Sequence, residues 1–373
     1  MSGTQTAKRI SERISLVAEN AVSVVRLRSE LLLEFARQGH RVLCVTGPAT
    51  GRDVRHLREL GAQHRSVAFD APGLRLITDW RVVTSLAEVF DDWQPNIVMG
   101  FGPRALTCAA IAAKRANVRR VVSFVTGLQP NGRLPCGERR FMHAMKSSDA
   151  AVFHNDEDRR TLQARELLPL DVAYGVVPGA GVDIRRIEPQ ALPPTENGVV
   201  YLMLSRLERQ RGVLDYALAA RSLKDRAPAS RFLLAGPEST RSDAISVAAV
   251  LKASDGVIEY LGDLADVRPA LAGCHVFVYP SHAEGMPRAV LEALAAGRPV
   301  ITTDTPGCRE TIDERVSGCL VAARDPVALA RAMESFVQHA DLIPAMARAA
   351  RLKAERRFDA VAVNRKIIEM IGL

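Results

Sequence analysis

The amino-acid sequence predicts an α/β protein built from two doubly wound parallel sheets. Two observations predict this class. Short apolar runs alternate with amphipathic stretches along the chain, and a segment rich in glycine and proline interrupts the alternation at residues 177–198. The length of 373 residues also suits two domains better than one. Two such domains facing each other form a cleft, where ligands bind at the carboxyl ends of the strands.

Each short apolar run predicts one strand of a sheet. In the first half the predicted strands are Ile14–Ala18, Arg41–Val45, Ser66–Phe69, Ile97–Gly100, Val121–Val125, Ala150–Phe153 and Ala173–Val177. Predicted helices in that half are Arg28–Gln38 and Ala105–Ala116. In the second half the predicted strands are Val199–Leu204, Phe232–Ala235, Ile258–Tyr260, Val276–Tyr279 and Val300–Thr302. The tail from Leu342 to Leu373 has a continuous helical pattern.

These elements divide the chain into four parts. We expect an N-terminal domain over residues 1–183, a linker over residues 184–198 and a C-terminal domain over residues 199–345. The last part, residues 346–373, is predicted to be a helical segment that crosses back to the N-terminal domain.

The net charge of +8 is concentrated in the first half of the chain. Residues 1–187 carry 27 Lys and Arg against 19 Asp and Glu, whereas the remaining residues carry 23 of each. A basic half suits contact with nucleic acid, an anionic membrane surface or a phosphorylated small molecule. Aromatic residues make up only 5% of the chain and no known nucleic-acid-binding pattern occurs, so we expect no nucleic-acid partner.

Several other protein classes are excluded or disfavoured by the sequence. With 47% hydrophobic and 25% charged residues, the composition is that of a globular protein. No run of 18 apolar residues predicts a transmembrane helix, and no secretory signal is visible. The six cysteines form no CxxC pair, which favours reduced thiols in a cytoplasmic protein. A nicotinamide-dependent enzyme is disfavoured because no GxGxxG follows the first strand.

The segment from Tyr279 to Glu310 carries the most chemistry. A strand is predicted to end at Tyr279, and a helix to run from Pro287 to Ala296 with Gly297 as its cap. The free N–H groups of its first turn form an anion site. Glu284 precedes that site, and Glu292 lies about 7 Å further along the helix axis. Two carboxylates beside a phosphate site match a nucleotide-sugar, whereas a solvated amphipathic helix is the simpler alternative.

This segment resembles the donor-binding signature of the family-four retaining glycosyltransferases, in which seven residues separate two glutamates. Three further elements are similar to that family: Ser205-Arg206-Leu207 followed by Arg211-Gly212-Val213, the linker entry Gly179–Asp183, and the strand ends Leu234–Gly236 and Leu261–Gly262. The resemblance implies the glycosyltransferase-B fold, with two Rossmann-like domains facing a cleft. It also implies an N-terminal domain that binds the acceptor and a C-terminal domain that binds the nucleotide-sugar.

The resemblance implies roles for individual residues. The catalytic group is Arg206, Arg211 and Glu284, with the two arginines neutralising the departing diphosphate and Glu284 holding hexose hydroxyls. Glu292 is implied to hold the ribose diol. The other implied donor-binding residues are Ser205, Gly236, Leu261, Gly285, Met286 and Pro287. No carboxylate need act as a nucleophile, because the acceptor hydroxyl is implied to attack from the face of the leaving group.

A narrower resemblance is to enzymes that extend undecaprenyl-diphosphate-linked sugars in bacterial polysaccharide and glycan assembly. It rests on the segment above, on Val125–Leu128 and on Phe153–Asp158. It implies a UDP-sugar donor, a hexose or N-acetylhexosamine as the transferred group, and a lipid-diphosphate-linked saccharide as the acceptor. The chain departs from the family where Glu19-Asn20-Ala21-Val22 replaces a glycine pair and where Arg211 replaces the usual lysine.

The acceptor and the membrane are assigned to the basic N-terminal half. The expected residues on this side are Asn20, Arg28, Arg104, Thr126, Gly127, Arg139 and Arg140. The stretch from Arg139 to Lys146 mixes cations with apolar residues, as an interfacial helix would. We therefore expect a peripheral protein on the inner, anionic face of the cytoplasmic membrane.

The sequence leaves several alternatives open. A family-four enzyme with GDP-mannose as its donor, or with a soluble acceptor, remains possible. A non-catalytic nucleotide-sugar-binding protein is an alternative from a different class. Neither metal-ligand spacing nor a DxD sequence at a strand end occurs, so we expect no cofactor and no metal requirement. The sequence does not define the oligomeric state.

Overall fold

A computed structural model describes residues 11–69, 75–128, 132–134 and 137–373 of the chain. Contacts between residues divide it into two compact units. The first contains residues 1–126, 132–180 and 364–373, and the second contains residues 127–131 and 181–363. Within the described residues, no helix combines the length and apolar character needed to cross a bilayer.

The first unit is built around a seven-stranded parallel sheet with the order β3-β2-β1-β4-β5-β6-β7. Its strands are β1 (Arg13–Ala18), β2 (Arg41–Thr46), β3 (Ala62–Ser66), β4 (Ile97–Phe101), β5 (Arg120–Val125), β6 (Ala150–Phe153) and β7 (Ala173–Val176). The central strand β1 is buried along almost its whole length, as expected for a parallel strand covered on both faces. Its Leu16 pairs in register with Cys44 on one side and Met99 on the other.

Helices connect these strands. They are α1 (Ala21–Arg37), α2 (Gly51–Glu59), α3 (Arg75–Trp93), α4 (Pro103–Arg115), α5 (Glu138–Lys146) and α6 (Asp156–Ala164). The small residues of α4 let it pack closely on the sheet, and eight of its thirteen residues are buried. The helices α3 and α5 both pack against α4.

The second unit contains a six-stranded parallel sheet with the order β10-β9-β8-β11-β12-β13. Its strands are β8 (Val200–Leu204), β9 (Arg231–Ala235), β10 (Ile258–Tyr260), β11 (Val276–Tyr279), β12 (Val300–Thr303) and β13 (Gly318–Val321). Alternate residues of β8 enter two hydrophobic cores, one on each face of the sheet. Tyr201 and Met203 belong to one core, and Leu202 and Leu204 belong to the other.

The helices of the second unit cover both faces of this sheet. They are α7 (Val213–Lys224), α8 (Val247–Ala253), α9 (Arg268–Ala272), α10 (Arg288–Ala295), α11 (Pro306–Arg309), α12 (Pro326–Gln338) and α13 (Ile343–Lys353). The last helix, α14 (Ala360–Met370), begins in the second unit, and its residues from Asn364 onward belong to the first. The predicted α/β class with two doubly wound parallel sheets is therefore confirmed.

Several elements of the structure differ from the prediction. Strand β3 is Ala62–Ser66 rather than Ser66–Phe69, because this edge strand is mostly polar and lacks an apolar run. Helix α1 begins at Ala21 rather than Arg28, since the Asn20 side chain caps it by accepting from the Ser23 N–H. Strand β13 was not predicted at all. Its sequence, Gly318–Val321, offers only a short apolar run.

The continuous helix predicted for the tail is also wrong. A π-helical turn over Ala354–Phe358 ends at Asp359, whose backbone is extended (φ −57°, ψ 120°). At this break the chain pairs with Val182: the Val182 N–H donates to Phe358 O at 2.8 Å, and the Ala360 N–H donates to Val182 O at 3.0 Å. A bond to a residue far away in sequence thus interrupts the helical pattern.

Candidate functional site

The strand order of the second sheet defines where a ligand can bind. The chain winds outward from β8 through β9 to β10, and then returns to the other side of β8 to continue through β11, β12 and β13. The loops that follow β8 and β11 therefore diverge at the carboxyl ends of two neighbouring strands. This topological switch point is where open α/β sheets bind their ligands. The two loops, 205–212 and 280–287, contain the family-like motifs.

Glu284 is fixed by groups from both loops. The Tyr279 hydroxyl donates to Glu284 Oε1 at 2.7 Å, and Arg211 forms an ion pair with the same oxygen. Arg211 Nη1 also donates to the Tyr279 hydroxyl at 3.2 Å. Burial raises the pKa of Tyr279, which keeps the phenol protonated and able to donate. Both of these contacts are made to Oε1 of Glu284.

A second carboxylate, Glu208, organises the arginines. Only 3% of its side chain is exposed, and Oε1 lies 3.3 Å from Arg206 Nη1 while Oε2 lies 3.5 Å from Arg211 Nε. Arg241 Nε is 3.9 Å from Oε1, and the Ser239 hydroxyl donates to the same atom at 2.8 Å. Glu208 therefore holds three guanidinium groups around one point beside Glu284.

Helix α10 begins one residue later than predicted. Pro287 is its N-cap with extended backbone (φ −76°, ψ 110°), and Arg288 is its first residue. No side chain caps this N-terminus, so its first N–H groups point toward the loop with the positive end of the helix dipole. Gly285 is buried and Met286 is half-buried in that loop, where the Gly307 N–H donates to Glu284 O at 3.2 Å.

Glu292 lies on helix α10 and is paired with an arginine. Arg288 Nε donates to Glu292 Oε1 at 2.9 Å, one helical turn apart, and about a fifth of each side chain is exposed. The predicted pair of glutamates therefore exists on the loop and helix as expected. In this structure each glutamate has an arginine partner.

Ser205 and Gly236 follow the neighbouring strands β8 and β9. The Ser205 N–H donates to Ala235 O at 2.9 Å, and the Gly236 N–H donates to Gly262 O at 2.8 Å. Gly236 has φ +141°, and a Cβ there would lie 1.9 Å from Ser205 O. The close approach of these two backbones requires glycine. Leu261, at the end of β10, keeps 39% of its surface exposed at the same edge of the sheet.

Four features of this site were not assigned from the sequence. They are the Tyr279 hydroxyl, Glu208, Arg241 and the contact between His282 Nε2 and Asp215 Oδ2 at 2.6 Å. Arg241 lies in a long loop between β9 and α8, about 30 residues from the other arginines, so no local spacing indicated it. The signal for Glu208 was available, because it lies between Arg206 and Arg211 within the motif itself.

Arginines are concentrated at this site. Four of them, Arg206, Arg211, Arg241 and Arg288, lie among the carboxylates of Glu208, Glu284, Glu292 and Asp243, the last 3.7 Å from Arg241 Nε. The clustered guanidinium groups, together with the N-terminus of α10, suit an anion such as a diphosphate. The carboxylate of Glu284 suits a sugar hydroxyl. Among the described residues no group of three His, Cys, Asp or Glu side chains could hold a metal ion.

In the first unit, Arg28 is buried rather than open to solvent. Its guanidinium group lies 4.4 Å from the ring centre of Phe101 and 5.6 Å from that of Phe124. Arg28 Nη2 is 3.1 Å from His154 Nε2. Burial, and secondarily the charge of Arg28, hold the pKa of His154 well below its ordinary value, so the neutral imidazole accepts this hydrogen bond.

The other residues predicted for the acceptor side have different environments. Asn20 caps α1, and Arg139 is exposed on α5. Arg104 Nε lies 2.7 Å from Asp79 Oδ1, and Arg140 pairs with the other oxygen of the same carboxylate. Thr126 follows β5 at the end of the first unit, whereas Gly127, with φ +138°, is grouped with the second unit.

Comparison with known families gives two matches that together span most of the chain. The family described as "Glycosyl transferases group 1" matches residues 198–339. The family described as "Glycosyl transferase 4-like domain" matches residues 24–169.

Individual relatives agree with these families. The chain is 30% identical over 326 residues to the N,N'-diacetylbacillosaminyl-diphospho-undecaprenol alpha-1,3-N-acetylgalactosaminyltransferase of Campylobacter jejuni, covering 82% of this chain and 84% of that protein. It is 25% identical over 269 residues to the UDP-Gal:alpha-D-GlcNAc-diphosphoundecaprenol alpha-1,3-galactosyltransferase of Escherichia coli, covering 68% and 69% of the two chains.

A solved structure shares the whole fold. HepE from Anabaena, crystallised in complex with UDP and glucose, superposes with a TM-score of 0.78 at 17% sequence identity. The match covers 96% of this chain and 99% of that one. The resemblance to family-four glycosyltransferases is confirmed by these matches. The chain belongs to the glycosyl transferase group 1 family and is a glycosyltransferase with the glycosyltransferase-B fold.

Proposed function

We propose that the chain is a retaining glycosyltransferase that moves a hexose or N-acetylhexosamine from a UDP-sugar to a lipid-diphosphate-linked saccharide in cell-surface polysaccharide biosynthesis. The observation that carries the proposal is the contact of Arg211 and Tyr279 with Glu284 at the switch point of the second sheet. The names of two relatives support the acceptor class, since both act on sugars attached to diphospho-undecaprenol. The UDP-galactose donor of one relative supports the donor class.

The donor would lie along the edge of the second sheet. Arg206 and Arg211 bind the diphosphate, and the N–H groups at the start of α10, behind Gly285, Met286 and Pro287, add the positive end of a dipole. Glu284 accepts hydrogen bonds from hexose hydroxyls. Glu292 accepts them from the ribose diol, and Ser205, Gly236 and Leu261 line the remaining edge.

Transfer begins when the bond between the sugar and the diphosphate breaks. The negative charge that develops on the departing diphosphate falls beside Arg206 and Arg211, where fixed cations stabilise the transition state most. The acceptor hydroxyl attacks from the same face that the diphosphate leaves and gives its proton to the departing diphosphate oxygen. The new glycosidic bond therefore forms with the configuration of the sugar kept. The arginines supply the compensating charge, and we propose that transfer requires no metal ion or cofactor.

The acceptor determines where the protein works. A lipid-diphosphate saccharide is held in a bilayer, so the enzyme would act as a peripheral protein on the cytoplasmic face of the inner membrane. The basic N-terminal half suits this surface. On this proposal the residues assigned to the acceptor or membrane side remain those expected from the sequence. They are Asn20, Arg28, Arg104, Thr126, Gly127, Arg139 and Arg140.

A transfer assay tests the proposal. The purified chain is offered UDP-hexoses, UDP-N-acetylhexosamines and GDP-mannose together with a lipid-diphosphate sugar, with and without EDTA. We expect transfer from a UDP-sugar that EDTA does not reduce. Glu284→Gln and Arg211→Ala should each lower kcat/KM by about 100-fold or more, since both act on the reacting sugar or its leaving group.

The matched control removes an arginine–glutamate pair from the same unit. Arg231 binds Glu259 through two hydrogen bonds on the exposed edge of the sheet. Arg231→Ala should leave kcat/KM unchanged. Full activity in Glu284→Gln and Arg211→Ala would contradict the site. Transfer only from GDP-mannose, or only to a soluble acceptor, would replace the proposed substrates.

A further inference from the structure

Three helices of the first unit line an open cavity, whose residues include Arg104 and Arg140 of the proposed acceptor or membrane side. Helices α3 and α5 pack on either side of α4, and the cavity between them has a volume of about 260 Å³. Its apolar wall is formed by Trp80, Val83, Cys108 and Ile111. Its rim carries Arg115 from α4 and His143 from α5.

Trp80 is unusually exposed for an indole. Its relative exposure is 60%, whereas the second tryptophan of the chain, Trp93, is 8% exposed. Tryptophan combines a large apolar surface with a polar N–H group, and it is enriched where proteins meet the boundary between lipid and water. An indole left largely in water at the edge of an apolar cavity therefore indicates a binding surface.

The residues around this cavity are basic. Arg139, His143 and Lys146 lie at i, i+4 and i+7 on one face of α5, and all three are exposed. Arg115 is exposed on the neighbouring helix α4. Among the described residues, Arg115, Arg139 and Lys146 form no ion pair.

The carboxylates near this surface are already neutralised. Asp79 is shared by Arg104 and Arg140, and Glu138 pairs with Arg165. By contrast, the arginines of α6 are balanced locally, since Arg159 and Arg160 both pair with Asp156. Near Trp80, therefore, Arg115, Arg139 and Lys146 keep charges that no carboxylate of the described residues pairs, and these charges complement a negatively charged surface.

We propose that Trp80 and the basic side chains of Arg115, Arg139, His143 and Lys146 form the surface by which the protein docks on an anionic lipid bilayer. Trp80 enters the interfacial region, and the four basic side chains contact the lipid phosphates. This inference rests on the proposed function, because a lipid-linked acceptor places the enzyme at a membrane. It assigns the contact to one face of α3, α4 and α5.

The two tryptophans make the proposal directly measurable. In Trp93→Phe the fluorescence reports Trp80 alone. We expect its emission to shift to the blue and to be quenched by brominated lipids when vesicles containing phosphatidylglycerol are added. Neutral phosphatidylcholine vesicles should give little response. If Trp93→Phe folds poorly, subtracting the spectrum of Trp80→Phe from that of the natural chain isolates the same signal.

Charge variants test the cationic part. Arg115→Gln with Lys146→Gln should weaken binding to anionic vesicles by about 25-fold, because each neutralised charge contributes roughly fivefold. The matched control is Arg52→Gln with Arg55→Gln, which removes the same charge from exposed positions of α2 in the same unit. This control should keep most of the binding.

Each contrary result identifies a different failure. Vesicle binding with no change in Trp80 emission would assign the membrane contact to another face. If both charge variants bind anionic vesicles equally weakly, the net charge of the protein explains the binding, and the position of the basic residues does not. If the protein binds neutral and anionic vesicles equally, electrostatic attraction plays no part in the docking. No binding at all would overturn the docking surface. Since vesicle binding needs no donor, an incorrect sugar or acceptor assignment leaves these results intact and is detected only in the transfer assay.

Discussion

At the scale of single residues, Glu208 shows how a carboxylate can be needed inside an anion site. Without a nearby negative charge, Arg206, Arg211 and Arg241 would repel one another. Glu208 supplies that charge from a buried position, at 3.3, 3.5 and 3.9 Å from the three groups. On the proposed function, a bound diphosphate would bring further negative charge to the same arginines. Glu208 would then act as a positioning residue that prepares the site for its ligand.

Replacing Glu208 tests this role. We expect Glu208→Gln to lower the free energy of unfolding by about 2 kcal/mol, less than for a fully buried pair because Arg206 and Arg241 are substantially exposed. Saturating UDP should stabilise this variant more than the natural chain, since the diphosphate replaces the missing charge. Thermal unfolding with and without UDP measures both effects.

The control for this measurement is Glu259→Gln. Glu259 lies on β10 and forms an exposed ion pair with Arg231 on β9. Breaking this pair should change the free energy of unfolding by less than about 1 kcal/mol. It should also leave the stabilisation by UDP unchanged. If UDP stabilises Glu208→Gln and the natural chain equally, Glu208 does not share its arginines with the donor.

At the scale of elements, the edge of the second sheet where the donor is proposed to bind depends on how closely the loops after β8 and β9 can approach each other. Gly236 ends β9 against the carbonyl of Ser205, which ends β8. The sequence indicated this glycine through its place after the strand, whereas the contact itself joins residues 31 positions apart. A side chain at this position would push apart the loops that carry Ser205 and Arg206.

Two glycine substitutions separate this contact from backbone strain. Gly236→Ala should destabilise the protein by roughly 3 kcal/mol or more, because its Cβ would lie 1.9 Å from Ser205 O and the backbone must move. Gly256→Ala also has a positive φ, +74°, but meets nothing within 4 Å, so it should lose only about 1 kcal/mol. Urea unfolding measures the loss in free energy of unfolding for each variant. Equal losses would show that strain, not the contact, explains Gly236.

The predicted elements failed where local sequence and tertiary contacts disagree. Strand β3 has a polar sequence, and pairing with β2 alone makes it a strand. The tail has a helical pattern throughout, and pairing with Val182 alone breaks it at Asp359. Buried strands such as β8 and β11 were predicted well because their apolar residues must leave water whatever their neighbours are.

At the scale of the whole molecule, three buried or partly buried histidines make the free energy of unfolding depend on pH. The pKa values of His64, His154 and His275 are all lowered, with burial as the largest cause. Below the ordinary histidine pKa of about 6.5, the unfolded chain binds protons that the folded chain does not. The contribution of these histidines to the free energy of unfolding therefore decreases as the pH falls from 6.5 toward the lowered pKa values, and it is fully present above 6.5.

His154 should account for a measurable part of this loss. We expect the stability of the natural chain to fall between pH 7.5 and 5, by up to about 1.4 kcal/mol per pH unit for each such histidine. His154→Gln keeps an acceptor for Arg28 but cannot titrate, so its stability should depend less steeply on pH. His339→Gln, at an exposed position, serves as the control. Parallel pH profiles for His154→Gln and the natural chain would contradict this account.

The sequence by itself determined the alternation of strands and helices and the family. It also identified Arg206, Arg211, Glu284 and Glu292 as candidate site residues from their places in the motifs. These depend on apolar periodicity and short spacings, which local sequence carries. Only the tertiary structure decided that Tyr279 and Arg211 meet at Glu284 and that Glu208 gathers Arg241 into the same cluster. It also decided that Trp80 stands beside arginine and lysine side chains that form no ion pair within the described part of the chain. The physical reason is that parallel strands bring their carboxyl ends together only after long crossover connections, so partners at one edge of a sheet lie far apart in the sequence.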